Sequence, residues 1–321
     1  MYALLTIIPN LMTIIVMSKR LLALFAAPLL AAPLLAGCAQ SSASENGALN
    51  VVAAFYPLQY IAEQVGGDHV TVTNLVKPGA EPHDLELSPK QVAAITDADL
   101  ALYLAGFQPA VDEAVAEHAK DKSLDAATVQ PLSDGFVPLE EGELHEDEKG
   151  KDPHVWLDPT RLAGIADAVA EKLGDVDPDN AADYTTNAKT LRGTLETLDG
   201  EFKAGLATCQ QKTIVVSHNA FGYLASRYGL TQVAITGLTP EDEPSPGRVA
   251  EVTRFARSNK VKAIFFETLV SDKVAKTLAD EVGAKAEVLD PLEGLEDGSS
   301  DDYVSVMRKN LATLRGALAC T

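Results

Sequence analysis

Residues 178–206 read PDNAADYTTNAKTLRGTLETLDGEFKAGL, and their pattern divides the chain. Tyr184, Ala188, Leu191, Leu195, Leu198, Phe202 and Leu206 recur at spacings of three and four. That spacing draws one apolar stripe along a helix. Asp177 and Pro178 supply its start, a capping carboxylate followed by a residue that needs no N–H partner. At 1.5 Å per residue the helix would run roughly 43 Å, long enough to lie along two lobes. Gly193, Gly200 and Gly205 each weaken it, so a bend or an early end is the alternative.

On both sides of this helix short runs rich in Val, Ile and Leu alternate with helix-period segments. LNVVAAF, VTVTNLV and DLALYLAG precede it; TIVVSH, TQVAIT, VKAIFFE and AEVLD follow. Such runs predict buried strands, and their alternation with helices predicts parallel sheets. Ser88-Pro89, Asp158-Pro159 and Ser245-Pro246 repeat the cap-then-proline start. The expected fold is therefore α/β, with two lobes that each carry a helix-flanked parallel sheet. The first lobe would span residues 49–176, the linking helix 177–207 and the second lobe 208–321. An acidic loop at 140–151 interrupts the first lobe, and its charge density predicts mobility.

The N-terminal segment SKRLLALFAAPLLAAPLLAGC has basic residues, an apolar run and small residues before Cys38. It reads as a secretory signal ending at residue 37. Leu35-Ala36-Gly37-Cys38 resembles a bacterial lipobox, which implies a lipid-modified Cys38 and extracytoplasmic anchoring. An export signal begins with its charges, so Met17 is the expected start and residues 1–16 a misassigned extension. Residues 38–48 read as a lipidated tether. Of three cysteines, Cys209 and Cys320 remain, and outside the cytoplasm they are expected to form a disulfide. A net charge of −20 argues against nucleic acid and anionic membrane surfaces as partners.

In open α/β sheets ligands gather beyond the carboxyl ends of the strands. Four residues at such positions stand out: His83 in GAEPHDLELSP, His154 in DPHVWLDP, His218 after TIVVS and Asp290 after AEVL. Taken singly, each histidine suits a packed or capping role, and Asp290 before Pro291 suits a turn. Together, three imidazoles and a carboxylate match the nitrogen and oxygen donors that zinc takes in fours. Two donors from each lobe would put the ion in the cleft between them. His69, His118 and His145 look ordinary, in a turn, on a charged helix face and in the acidic loop.

These segments, with NVVAAFYPLQYIAEQVGG, the DAD at 97–99, SHNAFGYLASRYGL, TPEDEPSP and FFET, resemble the metal-receptor lipoproteins of bacterial ABC importers. The likeness covers essentially all of the chain after the tether, in order. It implies two α/β lobes on a rigid backbone helix, with His83, His154 and His218 on the family's histidine positions and Asp290 on its carboxylate position. Some zinc members place a coordinating Glu before the first histidine; here that residue is Pro82, and the role does not pass to Glu81. The acidic loop carries one histidine, so it lacks the histidine-rich metal-scavenging character of zinc receptors. His218, where manganese-type members offer oxygen, favours Zn²⁺, with Mn²⁺ as the alternative.

The resulting expectation is a monomeric zinc receptor, not an enzyme, that delivers its ion to an ABC permease in the cytoplasmic membrane. Asp152 would accept the outer N–H of a ligand histidine, and Glu267 would support the site. The competing readings are a manganese or iron receptor, a zinc hydrolase with Glu267 as general base, and an adhesin or chaperone-like lipoprotein with structural zinc.

Overall fold

The computed structural model describes residues 47–135 and 150–321. The expected export signal, Cys38, His145 and almost all of the acidic loop lie outside those residues. The first half holds β1 (Leu49–Ala53), α1 (Tyr56–Gly66), β2 (Val70–Asn74), α2 (Pro89–Asp97), β3 (Leu100–Tyr103), α3 (Pro109–His118), β4 (Ser123–Asp125) and α4 (Ala126–Val129). Then come α5 (Pro159–Val176) and the linking helix α6 (Ala181–Leu206). The second half holds β5 (Thr213–Val216), α7 (Gly222–Tyr228), β6 (Thr231–Ala234), α8 (Pro246–Ser258), β7 (Ala263–Phe266), α9 (Lys273–Val282), β8 (Lys285–Val288) and α10 (Tyr303–Ala317).

Each half builds a four-stranded parallel sheet, in the orders β2-β1-β3-β4 and β6-β5-β7-β8. The second order repeats the first, strand for strand. β4 is the one strand that the apolar pattern does not announce, since SLD is too short to show a period. The proline starts behave as their chemistry requires. Asp158 accepts the Thr160 N–H, Ser245 accepts the Arg248 N–H, and Ser88 forms a capping box with Gln91.

Asp177-Pro178 differs in detail. Pro178–Asn180 forms a 3₁₀ turn, and the α-helix begins only at Ala181. The Asp177 carboxylate accepts from Asn180 Nδ2 and from the Tyr184 hydroxyl, both at 2.7 Å, which tightens that first turn. Beyond it α6 runs unbroken for 26 residues, about 39 Å at the standard rise. The three glycines do not end it, because burial of the stripe outweighs their propensity cost of about 1 kcal/mol each. All seven stripe residues are buried. At Gly205 the missing side chain serves packing, since a Cβ there would lie 3.0 Å from Leu311 of α10.

One apolar core extends from Val51 to Leu318 and takes in residues of both halves and of α6. A smaller cluster around Val215, Val252, Ile264 and Leu278 lies within the second half alone. A buried charge reinforces the linking helix. Asp199 accepts from Arg227 Nε at 2.9 Å and Lys203 Nζ at 2.7 Å, and Arg227 also lies 3.8 Å from the α5 cap Asp158. Cys209, just past α6, is joined by a disulfide to Cys320, just past α10.

Candidate metal centre

The site forms where four connections meet. His83 lies between β2 and α2, His154 just before α5, His218 two residues past β5, and Glu293 between β8 and α10. One donor atom from each lies within 4.8 Å of the others, and all four side chains are buried. Glu293 Oε1 sits 3.2 Å from His83 Nε2, 3.1 Å from His154 Nε2 and 3.2 Å from His218 Nε2. The Nε2 atoms of His154 and His218 are 3.2 Å apart. Three imidazoles thus turn the same ring atom toward one carboxylate oxygen, leaving a common centre that a single cation can occupy.

The outer ring atoms explain that orientation. His154 Nδ1 lies 2.8 Å from Asp152 Oδ1, which also accepts the His154 backbone N–H at 2.9 Å. His218 Nδ1 lies 2.6 Å from Glu267 Oε1, an oxygen that the Ser217 hydroxyl also approaches. Each carboxylate favours a proton on Nδ1 and frees the Nε2 lone pair for a metal. Gly222 makes room for one of these pairs, because a Cβ there would meet Asp152 Oδ2 at 2.5 Å. The His83 loop is held differently. Glu81 accepts the His83 N–H at 2.9 Å, and Gln108 donates to the Pro82 carbonyl at 3.1 Å. Glu81 Oε1 lies 4.0 Å from His83 Nε2, so this carboxylate shapes the loop from outside the four-donor group.

Asp290, the carboxylate expected from sequence, is not among the four donors; Glu293 occupies that place. Asp290 is engaged elsewhere. Its Oδ1 accepts the Leu292 N–H at 2.7 Å and its Oδ2 accepts from the Thr268 hydroxyl at 3.1 Å. Both carboxylates follow β8, and a local pattern of residue types does not separate them. Asp-Pro opens a turn that suits Asp290 to bind its own backbone, but which carboxylate that turn then delivers depends on contacts remote in sequence.

Trp156 lies beneath the centre. Its ring contacts His154, Phe55 and Phe107 with centroids 5.2, 4.8 and 5.4 Å away. Its indole N–H donates to the Pro291 carbonyl at 2.7 Å, so the His154 loop of one half grips the Glu293 turn of the other. Tyr303 of α10 donates in turn to the Trp156 carbonyl at 2.6 Å. The remaining described histidines lie apart: His69 pairs with Asp183 at 3.1 Å and His118 lies near Glu117.

Burial and pairing set the protonation states. Burial pushes His83 down, toward the neutral form a metal needs. Burial opposes charge on His218 too, but Glu267 and Glu293 overcome it and push the group up to about 10. For His154 the same contest ends in a rise, through the hydrogen bonds to Asp152 and Glu293. Burial would raise Glu293, yet His218 and His83 hold it well below the usual carboxylate range. Asp290 is pushed up to about 6 by burial.

A family model described as zinc-uptake complex component A, periplasmic (ZnuA), matches residues 51–317. The zinc-binding lipoprotein AdcA of Streptococcus pneumoniae is 38% identical over 281 residues, covering 84% of this chain and 56% of that protein. The chain therefore spans little more than half the length of the AdcA relatives. The high-affinity zinc uptake system protein ZnuA of Bacillus subtilis is 36% identical over 301 residues, covering 88% of this chain and 93% of that one. Among solved structures, Zn(II)-bound AdcA from Streptococcus pneumoniae superposes with a TM-score of 0.72 at 37% identity, covering 85% of this chain and 58% of that one.

Proposed function

Because the chain belongs to the periplasmic zinc-uptake component A family, we propose that it is an extracytoplasmic receptor that captures Zn²⁺ and hands it to an ABC permease. In this reading His83, His154, His218 and Glu293 bind the ion, and lipid on Cys38 holds the monomeric receptor at the membrane. The observation that carries it is the convergence of four buried donor atoms within 4.8 Å, two of the histidines braced from behind by carboxylates. Three nitrogens and one carboxylate suit zinc, and nitrogen-rich sites favour zinc over manganese by the general affinity order. Names and bound metal of the relatives point the same way.

Capture rather than catalysis fits the donor count. A catalytic zinc site keeps one of four positions for water, whereas here protein groups supply all four. Glu267, the residue considered as a general base, faces His218 Nδ1 and Ser217, which suits an orienting role. A pocket of about 300 Å³, lined by Tyr56, Gln59, Asn74 and Lys77, borders Glu293.

Elemental analysis of the purified protein, with a competition titration of Zn²⁺ against Mn²⁺, tests the reading. One zinc per chain and a large preference for zinc are expected. Substoichiometric zinc, or an equal hold on manganese, would overturn it.

A further inference from the structure

The stretch Asp290-Pro291-Leu292-Glu293 has its backbone gripped from three directions. The Asn310 side chain on α10 takes both backbone groups of Asp290: its Oδ1 accepts the N–H at 2.9 Å and its Nδ2 donates to the carbonyl at 2.7 Å. Trp156 donates to the Pro291 carbonyl at 2.7 Å. The Asp290 carboxylate accepts the Leu292 N–H at 2.7 Å. Leu292 itself is fully buried and sits at φ 57°, in the left-handed region that a branched side chain rarely enters. A backbone in that region persists only where its surroundings over-determine it. The surroundings here are these side chains, and the residue delivered by the turn is Glu293.

We infer that Asp290 is a positioning residue: with Asn310 and Trp156 it holds Leu292 in the left-handed turn that presents Glu293 to the three histidines. This rests on the zinc-receptor reading and deepens it. Asp290 works by accepting hydrogen bonds, not by carrying charge to the ion. Its second oxygen accepts from Thr268, the residue after Glu267, so one strand end sets both the His218 ring and the Glu293 turn. The Trp156 bond carries the same hold to the His154 loop.

The test compares Asp290→Asn, which keeps an acceptor for the Leu292 N–H, with Asp290→Ala, which removes it. Zn²⁺ is titrated against a chromophoric chelator, and amide exchange over residues 290–293 is followed in the metal-free protein. Asp290→Asn should bind within about threefold of wild type and exchange normally. Asp290→Ala should bind roughly 10- to 100-fold more weakly, the usual loss for an outer partner of a ligand, and exchange at least tenfold faster in that segment. If Asp290→Asn loses as much as Asp290→Ala, the carboxylate itself binds the ion and the inference fails. It also fails if Asp290→Ala matches wild type in both measurements. Should Asp290→Ala not fold, Trp156→Phe keeps an aromatic ring and deletes the N–H grip; zinc release should quicken about three- to tenfold, and an unchanged rate counts against the inference. Wild-type protein that takes up no zinc would strike the proposed function instead, and the exchange comparison would then decide the positioning role alone.

Discussion

The two halves share one strand order and use it differently. In the second half His218 follows the strand equivalent to β1, and Glu293 follows the one equivalent to β4. In the first half His83 follows β2, while His154 comes after β4, α4 and the acidic loop. The bracing differs as well. His218 leans on Glu267 at the end of the adjacent strand β7, and the Glu293 turn leans on Asp290 and Asn310. The first-half loops depend on partners two residues away, Asp152 for His154 and Glu81 for His83. A repeated scaffold therefore fixes where ligands can be offered, and side chains at the strand ends decide which are offered and how firmly.

Covalent closure of the second half is the coarsest way to break that comparison. The Cys209–Cys320 bridge spans a sequence separation of 111 and ties α6 to the end of α10, whose Asn310 and Tyr303 brace the site. Chain-entropy estimates put a loop of that size at about 4–5 kcal/mol. The Cys209→Ser/Cys320→Ser protein should melt roughly 8–15 °C lower, at about 2–3 °C per kcal/mol for a chain of this size. Calorimetry on the metal-free proteins reads this directly; an unchanged midpoint would mean that α10 needs no staple.

Removing a donor comes next. Structural zinc sites bind with about 10–16 kcal/mol from four ligands, so one ligand is worth on the order of 3 kcal/mol, a hundredfold or more in affinity. His154→Ala, His218→Ala and Glu293→Ala should each lose this much by calorimetric titration. Wild-type affinity in any one would remove that residue from the centre. The orienting carboxylates should cost less, roughly 10- to 100-fold for Asp152→Ala or Glu267→Ala. If the second half is the more firmly braced, Glu267→Ala will lose more than Asp152→Ala, and the reverse order would invert the comparison.

Much of this was legible before any coordinates. The α6 stripe, seven of the eight described strands and the three histidines that converge on Glu293 follow from local periodicity and from the rule that sites gather at strand ends. Glu293 did not. Its selection over Asp290 depends on the sign of φ at Leu292 and on grips from Asn310, Trp156 and Thr268, which are remote in sequence from one another. Nothing within the local stretch DPLEG encodes those contacts. β4 escaped for a different reason, since three residues cannot display a period of two.

The smallest predicted effect separates His83 from the two carboxylate-braced histidines, because against burial Asp152 and Glu293 raise His154 as Glu267 and Glu293 raise His218. Burial leaves His83 neutral, so the first ligand of the first half has no proton to give up. His218 is held up to about 10 by Glu267 and Glu293 acting against burial, so at neutral pH it carries a proton in the metal-free protein. Zinc needs the neutral ring, and binding must expel that proton. Affinity should therefore rise with pH by about tenfold per unit, about 1.4 kcal/mol, for each proton expelled. The gain ends as pH reaches the His218 value. The metal-free fold shows the opposite slope: a raised folded value stabilises fully below about pH 6.5, and the benefit is lost as pH climbs toward 10. Titration between pH 6.5 and 8 in two buffers of different ionisation enthalpy counts the protons released. At least one is expected from wild type and fewer from Glu267→Gln, which weakens the hold on the His218 proton. Release of none would mean that the carboxylates behind the second half orient His218 without charging it.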